Sequence, residues 1–177
     1  DADAAMYRAK EGGRDRIVVF GKQIRQQAQH RLDVERELRH ALANENISTV
    51  YQPIVDIQSG SITGVEALAR WEHPALGQLG PDEFLGIAED TGMILDLGRQ
   101  VLEQACVQAL AWVSMASPGF RVWVNVSARQ FADPSLFVTF LRVLDKSGLP
   151  AAALGSDITE SALMAQTDPV ADQLGQL

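Results

Sequence analysis

GVEALARWEHP, running from Gly64 to Pro74, begins as an apolar strand yet carries Glu66 in its interior. Upstream, STVYQPIVDI (Ser48 to Ile57) also has strand composition, and the turn signal QSGS predicts a hairpin between it and ITGVEALARW (Ile62 to Trp71). Alternate side chains of a strand share a face. Ile62, Gly64, Glu66, Leu68 and Arg70 therefore lie on one side, with Thr63, Val65, Ala67, Ala69 and Trp71 on the other. The second set suits packing under helices, which turns Glu66 and Arg70 together toward the opposite face.

Downstream, Pro81, Asp82 and Glu83 form a helix start, since proline fits the first turn and acids favour the positive end of the helix dipole. Ile94, Leu97, Val101, Ala105, Ala109 and Trp112 follow at spacings of three and four and make one core stripe. A break near Thr91 and Gly92 divides the region from Pro81 to Val113 into two helices. RVWVNVSARQF (Arg121 to Phe131) reads as a third strand, PSLFVTFLRVLDKSG as a helix ending in glycine, and a fourth strand begins near Leu154. DPVADQLGQL looks like another helix starting. Strands alternating with helices predict an α/β fold with a parallel sheet. A barrel of eight strand–helix units takes about 250 residues, so Asn46 to Leu177 accounts for about the N-terminal half of a TIM-like barrel.

In the third strand Val122, Val124, Val126 and Ala128 share one face and Trp123, Asn125, Ser127 and Arg129 the other. In the fourth, Asp157 and Thr159 oppose Ser156, Ile158 and Glu160. Successive strands thus each offer an oxygen donor: Glu66, Asn125 and Asp157. Such donors suit Mg²⁺ or Mn²⁺, and clusters of histidine and cysteine that would suit zinc are absent. Plainer readings stand beside this one: Glu66 as an edge or solvent-facing charge, and Asn125 as a buried amide satisfying backbone groups. His73 before Pro74 reads as a turn residue, and Trp71, Trp123 and Cys106 as core.

The net charge is -8 and the only lysines are Lys10, Lys22 and Lys146, which argues against a nonspecific nucleic-acid binder. An anionic ligand would need placed arginines, helix N-termini or divalent cations. One cysteine cannot make an internal disulfide, and no apolar run reaches the roughly 18 to 20 residues of a membrane span. A cytoplasmic protein with no membrane segment in this chain is the expectation. Residues 1–20 read as one helix, stopped at Gly12 and Gly13, and one short strand, too little for a core. Residues 21–45 read as an exposed, largely polar linking helix with sparse apolar positions at Leu32, Leu38 and Leu42 and a Glu35–Arg39 pair. Residues 46–177 carry the α/β pattern.

Taken together, YQPIVDIQSGSITGVEALARWEHP, GPDEFLGIAEDTGMI, VWVNVSARQF and DITES, in that order between Val50 and Ser161, resemble the EAL domain family, whose members hydrolyse cyclic di-GMP to linear pGpG with two Mg²⁺ or Mn²⁺ ions. ADAAMYRAKEGGRDRI similarly resembles the closing helix and strand of a GGDEF (diguanylate cyclase) domain. The resemblance implies a piece of a tandem GGDEF–EAL protein. It makes Glu66 a metal-binding catalytic glutamate and Asn125 a metal ligand. It makes Gln52, Leu68 and Arg70 dinucleotide contacts, Arg70 through phosphate, and Glu160 the glutamate that steadies a catalytic loop. Homodimerisation through the EAL domain is a further implication.

Two departures qualify these implications. Where the family has a metal-ligating glutamate, DITE has Asp157, one methylene shorter. The family's Asp-Asp motif, catalytic lysine and later glutamate follow the matched blocks, and here no Asp-Asp pair occurs and no lysine follows Lys146. The expectation is a phosphodiesterase in the parent protein with this chain inactive alone. The alternative is a non-catalytic module that binds cyclic di-GMP. The GGDEF signature is absent, so no cyclase activity is expected of this chain.

Overall fold

A computed structural model describes residues 22–116 and 118–158. Their elements are helix α1 (Lys22–Ala43), strands β1 (Ile47–Val55), β2 (Ile62–His73) and β3 (Gly77–Leu79), helices α2 (Pro81–Thr91) and α3 (Ile94–Val113), strand β4 (Arg121–Val126), helices α4 (Ala128–Phe131) and α5 (Leu136–Ser147), a 3₁₀ turn (Ala151–Ala153) and strand β5 (Leu154–Ile158). The expected helix and strand of residues 1–20 and the expected helix at the far end of the chain lie outside the described residues, as do Thr159 and Glu160.

The sheet runs β1-β2-β4-β5, with β3 paired to the end of β2. β1 is antiparallel to β2, whereas β2, β4 and β5 are mutually parallel. The hairpin connects through a turn in which the Asp56 carboxylate accepts from the backbone N–H and hydroxyl of Ser59, each at 2.7 Å. These bonds favour the charged carboxylate and hold its pKa below the usual value. Parallel strands need a long crossover, and the two helices from Pro81 to Val113 supply it between β2 and β4. Proline opens α2, Glu83 closes on the backbone N–H of Gly80 at 2.8 Å, and Gly92 ends the helix in the left-handed conformation at φ 81. The break predicted at Thr91 and Gly92 is therefore real.

Among the described residues, α2 and α3 pack on one face of the sheet, and α1 and α5 pack against them. Val65, Ala67 and Trp71 of β2 and Val122, Val124 and Val126 of β4 are buried there with Leu97, Val101, Ala105 and Ala109 of α3 and Phe140 and Val143 of α5. Polar bonds fix α3 on this layer: Gln104 donates to the Ile47 carbonyl and Gln100 to the Leu42 carbonyl, both at 2.7 Å. Cys106 is buried in the same layer, and burial pushes its thiol up to about 11.

Two expectations change. The helix expected within residues 21–45 forms over Lys22–Ala43, with the Glu35–Arg39 pair at 3.1 Å, but it is not exposed throughout: Val34, Leu38, Ala41 and Leu42 are buried, while Leu32 is exposed. The docked stripe gains burial against α2 and the shared core, a partner that isolated sequence spacing could not reveal. The third strand stops at Val126 rather than Phe131. Ser127 accepts from the Gln130 backbone N–H at 3.3 Å and Gln130 returns an acceptor to the Ser127 N–H at 3.1 Å, so a capping box turns SARQF into a helical turn.

Candidate active site

The face of the sheet away from the helices carries the predicted site residues other than Glu160, which lies outside the described residues. The antiparallel ladder sets Gln52 opposite Glu66 and Val50 opposite Leu68. The parallel ladders set Glu66 beside Trp123 and Trp123 beside Gly155, and then Asn125 beside Asp157 one pleat nearer the C-terminal strand ends. Glu66 and Arg70 share this face, as the alternation predicts. Leu68 and Arg70 are half-buried, whereas Gln52, Asn125 and Asp157 are exposed.

Glu66 and Asn125 meet: the Asn125 amide donates to Glu66 Oε1 at 2.7 Å. That bond leaves Asn125 Oδ1 and the second Glu66 oxygen as acceptors. Asp157, in register with Asn125, brings a second carboxylate to the next strand. Arg70 spends one guanidinium hydrogen on the Ala69 carbonyl at 2.7 Å and keeps further donors. Among the described residues no three His, Cys, Asp or Glu side chains gather into a metal-binding group.

Two other residues sit differently from expectation. Arg129 does not extend the Asn125 face, because α4 carries it to the end of α2, where it donates to the Glu89 and Asp90 carbonyls. Trp71 is core, edge-on to Phe84 with ring centroids 5.8 Å apart. Trp123 is half-buried on the site face, its indole lying against Gly155. The available signal was a glycine at the matching place in the fourth strand. His73 is buried at the β2–β3 turn, its Nδ1 accepting from the Ala75 and Leu76 backbone N–H groups at 3.1 Å, as a turn residue should.

Residues 35–177 match the family model described as the EAL domain. The chain belongs to the EAL domain family. This EAL domain is 39% identical over 168 residues to the bifunctional diguanylate cyclase/cyclic di-GMP phosphodiesterase MucR of Pseudomonas aeruginosa, a match covering 95% of the chain and 24% of that protein. It is 37% identical over 163 residues to the cyclic di-GMP phosphodiesterase PdeR of Escherichia coli, covering 92% of the chain and 24% of that protein. The chain thus spans about a quarter of the length of these relatives. The solved PaMucR phosphodiesterase in complex with c-di-GMP superposes with a TM-score of 0.75 at 36% identity, over 81% of this chain and 59% of that one. The fold is therefore that of part of an EAL barrel. No helix among the described residues is long and apolar enough to cross a membrane.

Proposed function

We propose that this EAL domain belongs to a cyclic di-GMP phosphodiesterase that yields linear pGpG. The observation that carries the reading is the 2.7 Å contact between Glu66 and Asn125, on the open face beside Asp157, in a chain 39% identical to a protein named as such a phosphodiesterase.

The donor set fits a hard divalent cation: two carboxylates and one amide, all oxygen ligands, on adjacent strands. Glu66, Asn125 and Asp157 would hold Mg²⁺ or Mn²⁺, a pair of ions being the reading for the complete domain. When bound, such ions polarise a phosphodiester and make a coordinated water a stronger nucleophile. The remaining work falls to side chains of this chain. Arg70 offers a planar guanidinium that matches phosphate oxygens. Leu68, between Glu66 and Arg70 on the same face, gives the nucleotide an apolar wall. Gln52, across from Glu66, offers an amide donor and acceptor. Glu160 is read as steadying a loop beside the site. In the hydrolysis a water oxygen bonds to phosphorus, one phosphorus–oxygen ester bond breaks, and the departing sugar oxygen takes a proton.

Incubation of the complete protein with cyclic di-GMP and Mn²⁺, followed by chromatography for pGpG, tests the reading. Product that disappears in Glu66→Ala supports it. No product from the native protein would end it. Asp157, one methylene short of a glutamate, favours a second reading, a domain that binds the dinucleotide without turnover. Binding without hydrolysis in both the native protein and Asp157→Glu would select that reading. The same proposal extends to a GGDEF-like tail at residues 1–20, a linker up to residue 45, a cytoplasmic setting and an EAL–EAL homodimer, the last tested by sedimentation of the complete protein.

A further inference from the structure

We infer that Trp123 is a positioning residue for the metal-binding carboxylate: its indole forms a flat floor beside Glu66 that directs this side chain toward Asn125. The inference rests on the metal-site reading above. Trp123 occupies the same cross-strand row as Glu66, between it and Gly155. Its ring extends over β5 so closely that a Cβ at position 155 would stand 2.6 Å from Cε3, 2.7 Å from Cδ2 and 2.9 Å from Cζ3. On the other side, a Cβ at Gly64, one pleat below Glu66, would stand 3.5 Å from Nε1. The indole therefore spans from β2 to β5, lowered onto backbone at Gly155.

A rigid ring in that place occupies the cross-strand row of Glu66 and reaches toward Gly64 in the row below it. Asn125 stands one pleat above, and Glu66 reaches up to it at 2.7 Å. Metal ligands work when their rotamers are held by packing, and loosening the groups that hold them lowers affinity. Trp123 touches neither partner of the reaction in this account. It acts through Glu66, and Gly155 is what lets it lie flat.

The test is Mn²⁺ affinity of the complete protein, read from the electron paramagnetic resonance signal of free Mn²⁺, with thermal unfolding followed for each variant. Trp123→Ala is expected to weaken Mn²⁺ binding about 10- to 100-fold, the range for loss of groups that orient metal ligands. Trp123→Phe, which keeps a flat ring, should stand nearer the native affinity. Gly155→Ala should weaken binding when Trp123 is present and add nothing to Trp123→Ala, because the new methyl then meets no ring. Such non-additivity marks direct coupling. Native affinity in Trp123→Ala, or effects of the two substitutions that simply add, would overturn the inference. Glu66→Ala separates the two levels of the argument. Loss of Mn²⁺ binding there, with native affinity in Trp123→Ala, sinks the role of Trp123 alone, whereas native affinity in Glu66→Ala sinks the metal site and the inference together.

Discussion

The Asn125 amide donates to Glu66 Oε1 at 2.7 Å across two parallel strands, joining residues 59 positions apart in sequence. Neither group is deep in the core, so the bond contributes little to stability, about 0.5–1.5 kcal/mol for an ordinary hydrogen bond. Asn125→Ala should accordingly leave the thermal midpoint nearly unchanged while lowering pGpG formation by the complete protein at least about 10-fold. Parallel assays of unfolding and turnover check the split. A large fall in midpoint with activity retained would assign Asn125 to the scaffold.

Asp157 lies beside Asn125 in register but has a shorter reach than glutamate. Asp157→Glu is expected to keep or raise Mn²⁺ affinity and turnover, since the carboxylate retains its charge and extends further over the open face. A calorimetric Mn²⁺ titration with the pGpG assay reads both. A drop in affinity would mean that the site geometry is built around the shorter acid.

At Gly64 an added Cβ would stand 2.5 Å from the Arg121 carbonyl oxygen on the adjacent strand. Backbone cannot swing aside as a side-chain tip can, so Gly64→Ala must separate β2 from β4. Overpacking of this kind costs about 1–3 kcal/mol, and urea unfolding should register it. Because Glu66 is two residues on, Mn²⁺ affinity should fall as well.

A similar crowding holds α3 against α4. A Cβ at Gly98 would stand 1.8 Å from Gln130 Nε2, and Gln130 is buried and committed to the capping box with Ser127. Gly98→Ala should destabilise by about 1–3 kcal/mol, and Gln130→Ala in the same chain should remove most of that clash at the cost of the cap. Unfolding midpoints of the two single variants and the double variant decide it.

Cys106 supplies a pH dependence. Its ordinary value is 9.0, and burial raises it to about 11 in the folded protein. The folded state thus holds its proton at a pH where the unfolded state has released it, so stability falls as pH rises from about 9 to about 11. Cys106→Ala should flatten that part of the stability profile. Below pH 9 the thiol stays protonated and enclosed, and alkylation should proceed only on unfolding.

Much of this was legible in one dimension. The alternation of Val65, Ala67 and Trp71 against Glu66, Leu68 and Arg70 separated the packed face from the open one, and burial follows it. Proline, acids and glycine marked α2 from Pro81 to Gly92 because caps are local chemistry. The end of β4 is obscured in the sequence although Ser127 and Gln130 carry a capping-box signature, since VWVNV before them has strong strand character. The docking of Val34, Leu38 and Leu42 was hidden by the polar composition around them and by a partner layer that is remote in sequence.

The sequence by itself determined the strand and helix periods and the faces of β2 and β4, because side-chain alternation and capping depend on neighbours a few residues away, and its ordered blocks resemble the EAL family. Tertiary structure alone decided the register of Glu66 with Trp123 and Gly155, the meeting of Glu66 with Asn125, and the departure of Arg129 to the end of α2. Those relationships are set by how strands slide past one another and by how closely rings approach backbone, and both are fixed only when the helix layer packs onto the sheet.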